Sequence, residues 1–161
     1  MAFRILVVIV IGSLSSSVVS QSVPADCVPA TVPNDCNFYT KCVEGQNECG
    51  EDGYALGYGH KYCVAFNNLE LSQQGEQWIT GTMVCLQGAL VDYVYEDAAC
   101  PAIKKSAFES HVGCYVDHGF CDLSLEDKAK ISGTVIWDAL TSIDGVNQSV
   151  STLLACVEKD E

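Results

Sequence analysis

Ten cysteines are the residues of this 161-residue chain whose type and spacing say most about its chemistry. They are Cys27, Cys36, Cys42, Cys49, Cys63, Cys85, Cys100, Cys114, Cys121 and Cys156. No two of them follow the Cys-x-x-Cys pattern of zinc ligands or redox-active dithiols. An even number of cysteines without such pairs predicts five structural disulfides and neither a metal site nor a cofactor. The spacing alone leaves hundreds of pairings open.

A histidine motif raises the question of catalysis. His111-Val112-Gly113-Cys114-Tyr115 has the His-x-x-Cys-Tyr spacing of the catalytic helix of secreted phospholipase A2. That class needs an acidic calcium ligand directly after the histidine, where this chain has Val112. Without the carboxylate, the calcium that polarises the ester carbonyl has no anchor. We predict no catalytic residue and expect His111 to face the core of a helical protein; a degenerate phospholipase A2-like protein is the third alternative.

The other titratable residues do not form a recognisable site. His111 and His118 are seven residues apart on one predicted helix face but lack a third metal ligand, and His60 has no partner nearby. None of the acidic clusters matches an EF-hand loop. These clusters are Glu44 with Glu48, Glu51 and Asp52; Glu96 with Asp97; and Asp122 with Glu126 and Asp127. We expect a solvated acidic surface, and the alternative is weak calcium binding by an acidic extracellular protein of a mineral or mucous matrix.

The N-terminus predicts secretion. Arg4 precedes the apolar run Ile5 to Ile11, which is shorter than the roughly 20 residues that span a bilayer. Val18 and Ser20 fit a cleavage site, so we interpret residues 1–20 as a signal peptide. The product is expected to be soluble and extracellular, with no membrane insertion. Its net charge of −13 argues against nucleic acid and anionic membranes as partners.

Helices are the elements expected to position the cysteines. Residues 21–35 hold three of the four prolines and predict an extended N-terminal segment. Residues 36–161 predict one domain, in which helical spacing of apolar residues recurs and alternating patterns are scarce. The sequence therefore predicts an all-α fold: a small helical array stapled by disulfides.

Four stretches define the predicted helices. Aromatic residues recur every four positions at Tyr54, Tyr58, Tyr62 and Phe66. An apolar stripe predicts a long helix over residues 72–95 with Cys85 beside the stripe, and Pro101 and Gly119 fit the start and end of the next helix. Ser124 is the expected N-cap of a third helix, whose apolar face would comprise Leu125, Ala129, Ile136, Leu140 and Ile143. After a break at Asp144-Gly145, a short final helix would carry Val146, Val150, Leu153 and Val157 together with Cys156.

The order of the cysteines resembles that of the stanniocalcin family, which comprises secreted, helical, disulfide-rich glycoprotein hormones. The first gap and the last three gaps between cysteines have the lengths found in the vertebrate members, and the middle gaps differ by a few residues. Similar short runs are LSQQGEQW around Gly75, CLQGAL from Cys85, AFESHVGCY from Ala107 and LLAC ending at Cys156. The resemblance extends from Cys27 to Cys156.

The resemblance implies a connectivity and a function. The implied disulfides are Cys27–Cys42, Cys36–Cys63, Cys49–Cys100, Cys85–Cys114 and Cys121–Cys156. The implied function is that of a non-enzymatic, hormone-like regulator of calcium and phosphate handling that binds an extracellular receptor or protease.

Two departures from the family pattern modify these expectations. Vertebrate members carry one further cysteine that joins two subunits, whereas this chain ends at Glu161, so we do not expect a covalent dimer. The family's glycosylation sequon between the third and fourth cysteines is replaced by VEGQNE. The predicted glycan acceptor is instead Asn147, in Asn147-Gln148-Ser149, within the expected break between the last two helices.

Overall fold

The computed structural model describes Cys27 and residues 35–159, without the side chains of residues 137–139. The expected signal peptide lies outside these residues, as does nearly all of the expected extended segment. Throughout the described part the regular elements are helices, and disulfides join them, which confirms the predicted all-α, disulfide-stapled fold. None of the described helices is both long and apolar enough to cross a membrane.

The described chain contains seven α-helices. They are α1 (Glu44–Asn47), α2 (Lys61–Asn67), α3 (Gln73–Gly88), α4 (Asp92–Tyr95), α5 (Cys100–Asp117), α6 (Leu125–Thr141) and α7 (Ile143–Lys159). Two π-helical segments, Phe38–Val43 and Ala55–His60, precede α1 and α2, and a 3₁₀ turn covers Phe120–Asp122. The four aromatic residues predicted to share a helix face do so across the second π-helical segment and α2. Successive ring centroids in this ladder lie 6.2, 6.4 and 6.3 Å apart.

The helix predicted over residues 72–95 is divided in two. Ser72 caps the start of α3, its hydroxyl accepting a hydrogen bond from the Gly75 N–H at 3.2 Å. The helix ends at Gly88, a residue type that costs roughly 1 kcal/mol relative to alanine inside a helix, and the chain turns before α4. Leu90 and Val94 beyond the turn are still fully buried, so the predicted apolar stripe reaches the core across the break.

The next helix confirms its predicted start and end. Pro101 lies in the first turn of α5, where the missing N–H costs no helical hydrogen bond. After α5, Gly119 adopts φ 94°, the left-handed conformation that glycine accommodates best. Cys85 on α3 is bonded to Cys114 on α5 with the Cα atoms 5.5 Å apart, which fastens the two helices side by side.

Asp127 ties the start of α6 to the start of α3. Ser124 caps α6 as predicted, accepting a hydrogen bond from the Asp127 N–H at 3.1 Å. The buried Asp127 carboxylate accepts hydrogen bonds from the Ser72 hydroxyl and from the Ser72 N–H, the latter at 3.0 Å, and these bonds lower the pKa of Asp127. Only glycine fits at position 75, since a Cβ there would lie 2.7 Å from the Leu71 Cβ and 3.1 Å from the Asp127 carboxyl carbon.

The predicted break at Asp144-Gly145 is wrong by a few residues. α6 ends before Ser142, whose hydroxyl accepts a hydrogen bond from the Gly145 N–H at 3.0 Å. Serine is a favoured N-cap, so the final helix begins at Ile143 and continues for 17 residues. Asn147 therefore lies within α7 and not in a break between helices.

Candidate functional site

The structure joins all ten cysteines in five disulfides. The pairs are Cys27–Cys42, Cys36–Cys63, Cys49–Cys100, Cys85–Cys114 and Cys121–Cys156, the same pairs that the resemblance to stanniocalcins implies. Their Cα separations of 5.2 to 5.7 Å lie within the usual range for disulfides. Cys121–Cys156 fastens α7 to the 3₁₀ turn that follows α5, so one side of the last helix must face the rest of the molecule.

The opposite side of α7 carries exposed aliphatic side chains. Together with two residues of α6 they form a surface that we call the apolar face: Ile136, Leu140, Ile143, Val146, Val150, Leu153, Leu154 and Val157. The exposed fraction of these side chains runs from 40 % at Val146 to 81 % at Ile143. Their number gives the apolar face an area on the order of several hundred Å², the size at which such patches usually mark interaction sites.

The predicted apolar face of α6 points to solvent, and long-range bonds explain why. Leu125, Ala129, Ile136, Leu140 and Ile143 were predicted to line one helix face; all five are exposed, and Ile143 belongs to α7. The anchoring of Asp127 to Ser72 turns the opposite side of α6 inward, so that Ile131 is the residue buried in the core. On α7 the bond to Cys156 and the small residues Gly145 and Thr152 occupy the inner side, which leaves the valines and leucines outside.

The apolar face is almost free of charge. Residues 145–157 of α7 contain no Asp, Glu, Lys or Arg, in a chain whose net charge is −13. Ion pairs border this stretch: Asp144 pairs with Lys104 at 3.4 Å, and Lys159 pairs with Asp122 at 3.1 Å. A partner can therefore cover the valines and leucines of α7 without desolvating a charge among them.

The predicted glycan acceptor lies close to this surface. Asn147 is exposed on α7, directly after Val146 of the apolar face. Its side chain is accessible for modification, and a glycan there would lie beside the apolar face.

The inner side of α7 closes a cavity of about 70 Å³, which we call the aromatic cavity. Its aromatic lining comprises Tyr39, Tyr54, Tyr58, Tyr62, Phe66, Phe108, His111 and Tyr115. Met83 and Leu86 of α3 add apolar surface, while Gln148 and Ser149 of α7 add polar atoms. Both π-helical segments contribute to the wall, and π-helical turns often occur at functional sites.

His111 lines the aromatic cavity as a neutral imidazole. Its Nδ1 hydrogen-bonds the Ala107 carbonyl, which assigns the ring proton to Nδ1 and leaves Nε2 as an acceptor. The ring stacks on Phe108 with centroids 5.5 Å apart and meets Tyr54 edge-on at 6.2 Å. Burial among these groups lowers the pKa of His111 to about 4.

The other predicted site residues are not brought to this cavity. His118 lies exposed after α5, its Nδ1 2.9 Å from the Cys114 carbonyl, while His60 belongs to the second π-helical segment. Among the described residues, no group of three or more His, Cys, Asp or Glu side chains could hold a metal ion. Asp127, a member of the third acidic cluster, is buried and hydrogen-bonded to Ser72, so that cluster is not a purely solvated surface.

The hydroxyls of three buried tyrosines are functional groups to which the sequence analysis assigned no role. Tyr39, Tyr54 and Tyr115 are 1 %, 4 % and 8 % exposed, and burial raises the pKa of each phenol. Within the described part of the chain these three hydroxyls have no hydrogen-bond partner, although their oxygens are not fully buried. The sequence patterns included Tyr54, in the four-residue spacing, and Tyr115, in the His-x-x-Cys-Tyr motif. They did not indicate that these residues meet Tyr39, because the three reach the cavity from distant segments.

The neutral His111 makes stability depend on pH. Its pKa is about 4 in the folded protein and about 6.5 when unfolded, so only the unfolded chain gains a proton as the pH falls through this window. We expect the free energy of unfolding to decrease by about 3 kcal/mol between pH 7 and pH 4 from this group, and no further below that. Urea unfolding at several pH values measures the effect.

The variant His111→Phe should abolish the decrease in unfolding free energy between pH 7 and pH 4 that His111 causes. His118→Phe, at the exposed position directly after α5, is the matched control, and the difference between the two variants isolates the imidazole in the cavity. An unchanged pH profile in His111→Phe would contradict the prediction.

Comparison with protein-family models, with curated proteins and with solved structures found no match to this chain. The functional assignment therefore depends on the residues and geometry of the chain itself.

Proposed function

We propose that this protein is a secreted, non-enzymatic regulator of the stanniocalcin type that acts by binding an extracellular protein. The apolar face carries the proposal, because α7 holds its valines and leucines in water while a disulfide fixes its other side. The five disulfide pairs, which agree with the implied connectivity, support the family part of the proposal. On this proposal residues 1–20 direct secretion, Asn147 carries a glycan, and the response is altered calcium and phosphate handling.

The spacing and charge of the apolar face define the partner's chemistry. Ile143, Val146, Val150, Leu153 and Val157 follow a 3-4-3-4 spacing, typical of a helix that lies in an apolar groove. Because the chain carries a net charge of −13, a groove bordered by lysine and arginine would attract it. A second copy of the chain carries the same charge and is repelled. The expected partner is thus a protein with an apolar groove and a basic rim.

Cell-surface binding of the labelled, purified chain tests this proposal. We expect saturable binding at low concentration, accompanied by a change in calcium or phosphate flux. Leu153→Glu places a charge in the apolar face and should weaken binding about tenfold or more. Val64→Glu is the matched control, since Val64 is 41 % exposed on α2 and lies off the face. Equal binding by wild type and Leu153→Glu would overturn the assignment of the face.

Three further outcomes would identify other occupants or roles. Concentration-dependent mass in light scattering that Leu153→Glu abolishes would assign the face to a second copy, and binding to phosphatidylcholine vesicles would assign it to lipid. Calcium binding of low affinity and high capacity, without saturable cell binding, would favour the acidic matrix protein. Calcium-dependent hydrolysis of phospholipid that is lost in His111→Ala would overturn the non-enzymatic assignment.

A further inference from the structure

We infer that the aromatic cavity is a binding site for a small, uncharged phenol or aromatic alcohol. The site is distinct from the apolar face, since it lies on the opposite side of α7, and the inference does not depend on the proposed function.

The first argument comes from the buried tyrosines that line the cavity. Tyr39, Tyr54 and Tyr115 are each more than nine-tenths buried, and no described residue pairs with their hydroxyls. The hydroxyl oxygens are not among the fully buried polar atoms that lack a partner, so they keep accessible surface, where a molecule in the cavity can reach them. A bound molecule with a hydrogen-bonding group would satisfy hydroxyls that the protein itself does not satisfy.

The second argument concerns the shape of the wall. The Tyr54 and Tyr58 rings are parallel within 6° at a centroid distance of 6.2 Å, and Phe108 meets both of them edge-on. Met83 and Leu86 complete an apolar lining. Flat ring faces favour a flat ligand, because aromatic pairs gain energy in stacked and edge-on arrangements. Ligand sites generally combine such a lining with a few convergent polar groups.

The third argument concerns the charge of the described residues that line the cavity. None of these residues is Asp, Glu, Lys or Arg. The ammonium of Lys104 lies outside this lining, 5.7 Å from the Phe108 ring centroid, and pairs with Asp144. A carboxylate or an amine would lose its hydration without gaining a counter-charge, which is strongly unfavourable. The described lining therefore favours an uncharged ligand.

The donors and acceptors around the cavity select a hydroxyl group. A tyrosine hydroxyl can donate a hydrogen bond, and Nε2 of the neutral His111 can only accept one. A ligand hydroxyl both accepts and donates, so it can pair with both kinds of group. A ketone could only accept, and a hydrocarbon could do neither.

Titration with 4-methylphenol, followed by calorimetry and by NMR of the aromatic side chains, tests the inference. We expect saturable one-to-one binding, about tenfold or more weaker binding of toluene, and no binding of 4-methylbenzoate. The double variant Tyr39→Phe and Tyr54→Phe preserves ring shape and should bind 4-methylphenol about tenfold more weakly. Tyr95→Phe, at a half-exposed position on α4, should bind like wild type.

Two further variants keep the test decisive. Gln148→Trp, at a half-buried position on α7, should block the cavity and abolish binding even if the double tyrosine variant fails to fold. Leu153→Glu should bind 4-methylphenol like wild type, which separates this inference from the function of the apolar face. Equal affinity for toluene and 4-methylphenol would show that the cavity does not recognise a hydroxyl group, and no saturation by 4-methylphenol would show that it does not bind phenols; either result would overturn the inference.

Discussion

Replacing Trp78 with alanine is expected to lower the free energy of unfolding by about 4 kcal/mol. Trp78 is 1 % exposed on α3, and its ring lies edge-on to Tyr115 at 5.1 Å and to Phe66 at 6.3 Å. Its indole N–H donates a 3.0 Å hydrogen bond to the carbonyl of Tyr115. This carbonyl lies in the last turn of α5, where backbone carbonyls have no N–H partner within the helix. Alanine would remove the largest buried side chain among the described residues and leave both a void and an unpaired carbonyl.

Urea unfolding with the disulfides intact measures this loss of unfolding free energy. One further variant separates the hydrogen bond from the ring packing, and another is a surface control. Trp78→Phe retains most of the ring contacts but not the hydrogen bond, so we expect it to lower the free energy of unfolding by about 2 kcal/mol. Tyr95→Ala removes a half-exposed aromatic residue of α4 and should change stability by no more than about 0.5 kcal/mol. A loss below about 1 kcal/mol in Trp78→Ala would contradict the packing of α3 against α5.

The sequence predicted best those features that short-range chemistry decides. Pro101, Gly119 and Ser124 act on neighbouring backbone groups, so their types alone indicated where α5 begins and ends and where α6 begins. Cys85 was predicted to lie beside the apolar stripe, and at that position it bonds Cys114 of the neighbouring helix α5. These signals depend little on the rest of the fold.

The orientation of the last two helices was not predictable in this way. Periodicity shows that α7 has an apolar side, but the direction of that side depends on contacts with distant residues. Asp127 is fixed by Ser72 and Cys156 by Cys121, across separations of 55 and 35 residues. These bonds determine which sides of α6 and α7 face inward, and they override the usual rule that apolar stripes are buried.

The aromatic cavity was only partly predictable for a related reason. Tyr58 and Tyr62 share a four-residue spacing that is visible along the chain, whereas Tyr39 and Tyr115 belong to segments brought together by the fold. The hydroxyls that lack partners became apparent only from three-dimensional packing. The lack of a hydrogen-bond partner depends on the three-dimensional neighbours of a residue, so no periodic pattern in the sequence indicates it.

The double variant Cys121→Ser and Cys156→Ser is expected to lose about 4 kcal/mol of unfolding free energy. The disulfide closes a segment of 35 residues, and removing it restores the loop entropy of the unfolded chain. Of the 17 residues of α7, only Gly145 and Thr152 are buried, so little apolar packing can replace the covalent link. We therefore expect both a lower urea midpoint and faster amide exchange throughout α7.

The double variant Cys49→Ser and Cys100→Ser separates these two effects. It opens a segment of 51 residues and should cost about 4 kcal/mol as well, yet it does not involve α7. Amide exchange in α7, measured relative to that of α3, should therefore accelerate only in the first variant. If α7 remained protected after loss of Cys121–Cys156, the contacts of its inner side with α5 and α6 would have to hold it, and the disulfide would not be what keeps the apolar face in water.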